Sequence, residues 1–223
     1  MSIRRFDYVV FDLDGTLLDT REGIISAAIY TMEKYGISIP TRDVLECIIG
    51  PPIQDSFRKL FDLSSEKAIE MANAFREVYL SEDYLLNAVP YEGIFDLFDS
   101  LKESGVKIGV ATYKREDLAK QLLNKKGFGK YTEYIYGSDF KGELNKRDII
   151  HKCLDNIGCK DYTRAVYIGD GKSDGAGAIS AGIAFLAVTY GFGFKTKEDT
   201  LEFDPIGVAD SCIRIRELLL EMY

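Results

Sequence analysis

Two rhythms of apolar residues divide the chain. Phe6-Asp7-Tyr8-Val9-Val10-Phe11 is a nearly continuous apolar run, the pattern of a buried strand, and residues 12–16 form the loop that leaves it. From Glu22 the spacing turns helical, with Ile24, Ala27, Ala28, Thr31 and Tyr35 on one side and Gly36 as the stop. A short helix over residues 43–48 meets the break Gly50-Pro51-Pro52. Ile53, Phe57, Leu60 and Phe61 mark the next helix, and residues 68–80 another. No strand pattern intervenes, so residues 18–88 read as an all-helical insert.

After Val89-Pro90-Tyr91-Glu92-Gly93 the rhythm changes. Helices are expected over residues 94–103, 115–126 and 146–156, and strands over 107–111, 134–136, 165–168 and 183–188. Residues 206–209 add an edge strand, and Ile213, Leu218, Leu219 and Met222 suit a closing helix. Short apolar strands alternating with longer amphipathic helices indicate a parallel sheet covered on both faces. The expected fold is α/β: a three-layer Rossmann-like core from residues 1–17 and 89–223, with a helical cap domain inserted at 18–88. Between the strands at 165–168 and 183–188, Gly175 and Gly177 each weaken a helix over 172–181 by about 1 kcal/mol relative to alanine. Either that helix begins late or the two positions need close backbone approach.

Composition narrows the function. The net charge of −8 and the pI near 4.9 argue against partners such as nucleic acid or an anionic membrane. An anionic small molecule is still admissible, because a bound cation can reverse the field locally. Cys47, Cys153, Cys159 and Cys212 form no CxxC pair, and His151 is the only histidine, which disfavours structural zinc. The opening residues soon meet Asp7 and Asp12 and lack the apolar core of a signal peptide, and no apolar run approaches a membrane span. The expectation is a cytoplasmic protein, monomeric or a weak homodimer.

The first strand ends in Asp12-Leu13-Asp14-Gly15-Thr16. Two carboxylates one residue apart suit one acid that attacks and one that handles the proton, at the strand end where open α/β sheets place ligands. Companion pieces are Ala111-Thr112, Lys146, and Gly169-Asp170 with Asp174. Hard carboxylate oxygens suit Mg²⁺. Each residue has a plainer reading too: Asp12 and Asp14 as turn residues, Thr112 as a helix cap, Lys146 as a solvated lysine, Asp174 as an exposed first-turn acid. Lys141 rivals Lys146, His151 reads as a packed histidine, and Arg21 and Arg58 as surface arginines.

Asp12-Leu13-Asp14-Gly15-Thr16, Thr112, Lys146 and Gly169-Asp170-Gly171-Lys172-Ser173-Asp174 resemble the four motifs of the haloacid dehalogenase (HAD) superfamily. Ile49-Gly50-Pro51-Pro52 with Ser56-Phe57, Thr112-Tyr113-Lys114, Gly137-Ser138-Asp139 and Tyr190-Gly191-Phe192-Gly193 resemble its phosphoglycolate-phosphatase-like branch, which carries a C1 helical cap. The resemblance implies that Asp12 is the nucleophile, forming an aspartyl-phosphate, and that Asp14 is the general acid and base. An Asp at position 14 favours phosphoester chemistry over dehalogenation. Gly15, Thr112, Tyr113 and Lys146 would hold the phosphate, with the Tyr113 side chain narrowing the entrance. Mg²⁺ would be held by Asp12, the Asp14 carbonyl and Asp170, with Asp174 ligating directly, through water, or orienting Lys146. Thr16 would cap the next segment.

The expected activity is Mg²⁺-dependent hydrolysis of a small phosphate monoester. Phosphoglycolate leads, followed by nucleoside monophosphates (a 5'-nucleotidase) and pyrophosphate. A phosphosugar mutase could use the same aspartyl-phosphate, but Gly50-Pro51-Pro52 lacks the expected sugar-phosphate recognition sequence. A receiver-like phosphorylation module is the non-catalytic alternative, disfavoured by the long insert and by Asp14. The cap is expected to move on hinges near residues 17–18 and 89–90, with residues 49–54 selecting the leaving group.

Overall fold

The computed structural model describes residues 6–139 and 143–221, so Lys141 and Met222 lie outside the described residues. The chain divides into two units: Asp19–Val89, and the residues up to Leu18 together with Pro90 onward. The first is all helical. It contains α1 (Arg21–Lys34), α2 (Arg42–Glu46), α3 (Ile53–Phe61), α4 (Ser65–Tyr79) and α5 (Glu82–Leu85). Helix α5 is too short to leave a periodic signal in the sequence. Its approach to α1 depends on Gly23, where a Cβ would lie 2.2 Å from the Tyr84 carbonyl oxygen. Phe75 stacks on Tyr79 and meets Phe57 edge-on inside this unit, and Arg21 and Arg58 pair within it, to Asp19 and Glu46 and to Asp55.

The second unit is a six-stranded parallel sheet in the order β5-β4-β1-β6-β7-β8. The strands are β1 (Tyr8–Phe11), β4 (Lys107–Arg115), β5 (Ile135–Ser138), β6 (Ala165–Gly169), β7 (Ala184–Val188) and β8 (Gly207–Ala209). The intervening β2 (Leu18–Asp19) and β3 (Val89–Pro90) pair as a separate ribbon. Helices α6 (Ile94–Glu103), α7 (Glu116–Lys125), α8 (Lys146–Ile157), α9 (Lys172–Ala181) and α10 (Cys212–Arg216) complete the unit. Strand β1 is apolar along its length because both its faces are covered, and Val9, Val10 and Phe11 are buried. Register then positions the chemistry. Phe11 pairs with Val110 on one side and Ile168 on the other, so Asp12, Ala111 and Gly169 come next at the same level. Strand order reverses at β1, which is where open sheets form a crevice.

Three elements depart from the sequence pattern. Strand β4 runs four residues past Ala111, because residues 112–114 bulge opposite Gly137 alone. A Cβ on Gly137 would fall 2.3 Å from the Lys114 carbonyl oxygen, so the bulge needs that glycine. The closing helix is two pieces, α10 and then a wider π-type turn over Glu217–Glu221. Helix α9 starts at Lys172, so its glycines answer the need for close approach: a Cβ would sit 2.4 Å from Phe203 at Gly175 and 2.3 Å from Lys146 at Gly177. Among the described residues no helix is long and apolar enough to cross a membrane, and the four cysteines are unbridged.

Gly175→Ala sets two effects against each other. Helix propensity favours alanine by about 1 kcal/mol, while forcing a methyl group into a filled core costs about 1–3 kcal/mol. The contact with Phe203 should win. Urea unfolding is expected to show Gly175→Ala less stable by up to about 2 kcal/mol, with the exposed Ile179→Ala on the same helix within about 0.5 kcal/mol of the parent.

Candidate active site

Lys146 is the centre of the site. Helix α8 begins at this residue because Asn145 and Asp148 form a reciprocal capping box, and Gly177 on α9 leaves room for its side chain. Its ammonium donates to Asp12 Oδ1 at 2.9 Å, to Asp174 Oδ1 at 2.8 Å and to the Tyr167 hydroxyl at 3.1 Å. All four residues are buried, with Lys146 only 3% exposed, which removes its reading as a solvated surface lysine. Tyr167 sits on β6 and donates in turn to the Ala111 carbonyl at 2.5 Å, so it ties the lysine to the sheet.

Asp170 follows β6 and is wrapped by the segment after β7. Its Oδ2 accepts from the amides of Phe192 at 2.6 Å and Gly193 at 2.9 Å. Gly15, at φ 82°, passes so close that a Cβ there would lie 2.4 Å from the same oxygen. Asp174 is buried rather than an exposed first-turn acid, and both its oxygens are engaged: Oδ1 by Lys146 and Oδ2 by the Gly171 amide at 3.0 Å. That is the geometry of a group that orients Lys146 and the start of α9.

Asp14 pairs through Oδ1 with Lys114 at 3.1 Å, and both side chains are largely buried. The sequence pattern singled out Lys114 only as part of a resembling stretch. It ended β4 at Ala111 and so carried no information on where Lys114 reaches. Thr112 lies inside β4 instead of capping α7, whose N-terminal flank is Arg115, and its Oγ1 accepts from the Lys114 amide at 3.2 Å. Tyr113 does not simply narrow an entrance. Its hydroxyl accepts from the Lys146 amide at 3.1 Å and its ring lies 4.9 Å from the ammonium, a cation–π contact. Thr16 is buried and caps no helix, since Thr20 flanks α1. His151 packs on Tyr162 with Nε2 3.1 Å from the Ala181 carbonyl oxygen.

Burial and crowding shape the charges. Desolvation pushes Asp12 up to about 7, with Lys146 opposing and Asp174 and Asp14 adding to the rise. Desolvation, then Asp174 and Asp12, push Asp170 up to about 8 in spite of its two amide donors. Burial also works against the charge on Lys146, but Asp12 and Asp174 overcome it and raise its pKa well above the ordinary value. One oxygen each from Asp12, Asp170 and Asp174 lie within 4.8 Å of one another. Hard carboxylate oxygens from Asp12 and Asp170, buried and mutually repelling, fit a divalent cation such as Mg²⁺, with Asp174 beside them held by Lys146 and the Gly171 amide. The Asp14 carboxylate is outside that group.

A model described as haloacid dehalogenase-like hydrolase matches residues 9–188. The chain is similar to a 5'-nucleotidase from Pseudomonas aeruginosa, 34% identical over 85% of both chains. It is also similar to a tyrosine-protein kinase from Mycobacterium tuberculosis, 32% identical over 95% of this chain and 72% of that one. A phosphoglycolate phosphatase from Agrobacterium fabrum is 29% identical over 95% of this chain and 91% of its own. Among solved structures, a predicted phosphatase from Clostridium acetobutylicum superposes with a TM-score of 0.90, at 31% identity and 97% and 99% coverage.

The raised carboxyls make a prediction about stability. Because Asp12 and Asp170 move from 3.8 to about 7 and about 8, the folded chain holds more protons than the unfolded chain between those limits. Their stabilising contribution is therefore present below about pH 4 and lost as pH rises towards 8. In EDTA the thermal midpoint should fall between about pH 5.5 and about pH 8.5, and Mg²⁺ should oppose the fall. Asp170→Asn should flatten the slope; a midpoint that rises over this range in the parent would contradict the assignment.

Proposed function

The chain is a phosphatase of the haloacid dehalogenase-like hydrolase family, and we propose that it hydrolyses a small phosphate monoester through an aspartyl-phosphate on Asp12. The supporting observation is the placement of Asp12 at the end of β1, buried, with Lys146 on one oxygen and the Asp170 and Asp174 carboxylates beside it. In the first step a carboxylate oxygen of Asp12 bonds to phosphorus and the bond to the leaving oxygen breaks. Asp14 delivers a proton to that oxygen, and Lys114 holds the Asp14 carboxylate. In the second step Asp14 takes a proton from the water that attacks phosphorus, releasing phosphate and restoring Asp12. The Lys146 ammonium offsets negative charge on Asp12 and the phosphoryl group, and the Thr112 hydroxyl and Tyr113 amide hold oxygens that do not transfer. Asp12, Asp170 and the Asp14 carbonyl would hold a divalent cation, which would supply Lewis-acid screening of the phosphate charge.

Phosphoglycolate is the proposed substrate, supported by the relative of that name, whose similarity runs over 95% of this chain. The more identical nucleotidase makes nucleoside monophosphates the compounds to measure beside it.

Purified protein should release phosphate from p-nitrophenyl phosphate in Mg²⁺, lose that activity in EDTA, and lose it in the Asp12→Asn variant. Full activity of Asp12→Asn would remove the nucleophile assignment. Comparison of kcat/KM for phosphoglycolate, nucleoside monophosphates, pyrophosphate and sugar phosphates decides the substrate, and a much larger value for any other compound displaces phosphoglycolate. Asp14→Asn should lower kcat/KM, which reports the steps up to departure of the leaving group, by about 10²–10⁴ on alkyl phosphates. Aryl phosphates, whose leaving group departs without a proton, should lose less. Equal losses on both would show that Asp14 does not protonate the leaving group.

A further inference from the structure

Four residues after β7 do more than line the site. The Phe192 and Gly193 amides both donate to Asp170 Oδ2, and the Phe194 amide donates to the Asp170 carbonyl at 2.7 Å, so three successive N–H groups converge on one residue. The approach is possible only without side chains. A Cβ on Gly191 would stand 2.4 Å from Asp170 Oδ2 and 2.3 Å from the Gly15 carbonyl oxygen, and one on Gly193 would stand 2.4 Å from the Asp170 carbonyl oxygen. The segment is fastened at both ends. The Tyr190 hydroxyl donates to the Thr16 carbonyl at 3.0 Å, its ring packs on Tyr91 at 4.7 Å, and Lys195 Nζ donates to the Gly191 carbonyl at 2.8 Å. One strap therefore joins the loop that follows Asp14 to the backbone and side chain of Asp170.

We propose that Tyr190–Gly193 is the positioning element of the cation site: its amides hold Asp170 Oδ2 so that the carboxylate presents its other oxygen to a divalent metal beside Asp12. This rests on the reading of Asp170 as a metal ligand. Outer partners of this kind fix the direction of a ligand's lone pair, and their loss typically weakens metal affinity by roughly 10–100-fold. The strap residues are positioning residues that act through Asp170.

Calorimetric titration of Mg²⁺ into the parent, Gly191→Ala and Tyr190→Phe tests this directly. Gly191→Ala drives a methyl group against Asp170 and should weaken Mg²⁺ binding by roughly tenfold or more. Tyr190→Phe removes one anchor of the strap and should weaken it several-fold. In both, circular dichroism should report a native fold, and kcat at saturating Mg²⁺ should return close to the parent value, so that the defect lies in the Mg²⁺ requirement. Folded variants that bind Mg²⁺ as the parent does overturn the proposal while leaving the metal site intact. If Gly191→Ala does not fold, Tyr190→Phe decides by the same criterion. A parent protein that binds no divalent cation removes both the metal reading and this one.

Discussion

Holding three aspartates with oxygens within 4.8 Å of one another, out of water, is the constraint on which the core unit depends. Burial and mutual repulsion both oppose ionisation there. One buried cation makes it tolerable. Lys146 reaches two of the three carboxylates, and to do so it must be the first residue of α8, lie beneath Gly177 of α9, and lean on a tyrosine from β6. Two helices and a strand are thus committed to the position of a single ammonium. An uncompensated charge at such a site costs several kcal/mol, which exceeds what any one packing contact returns.

Within that arrangement the fold assigns individual oxygens. Lys146 occupies Oδ1 of Asp12, Lys114 occupies Oδ1 of Asp14, two amides occupy Oδ2 of Asp170, and Asp174 has both oxygens taken. A carboxylate held by one oxygen has little rotational freedom left. The site is therefore oriented before a ligand arrives, so the cost of ordering it is met during folding and not during reaction. Under the proposed function these groups are the nucleophile, the proton carrier, the ammonium that offsets phosphate charge and the ligands of a divalent cation. Relatives of similar identity carry the names nucleotidase, tyrosine-protein kinase and phosphoglycolate phosphatase, which accords with chemistry being set at the phosphate and specificity elsewhere.

Legibility followed the range of the interaction. The apolar run into Asp12-Leu13-Asp14, the alternation of strands and helices after Gly93, and Asn145 ahead of Lys146 are local patterns, and each determines its element without reference to the rest of the chain. The sequence by itself thus carried the α/β class and most of the chemical groups. Tertiary structure decided what they do to one another. The order β4-β1-β6 brings Ala111 and Gly169 to the level of Asp12, with Thr112 and Asp170 one residue beyond, and pairing partners about a hundred residues or more apart leave no periodic trace. The bulge that carries Lys114 to Asp14 depends on a glycine in the neighbouring strand. Tyr167 reads as one more apolar residue of β6 until its hydroxyl is seen between Lys146 and Ala111. The glycines of α9 look like flaws in a helix until Phe203 and Lys146 are found against them. Periodicity records which face of an element is buried; it does not record what that face meets.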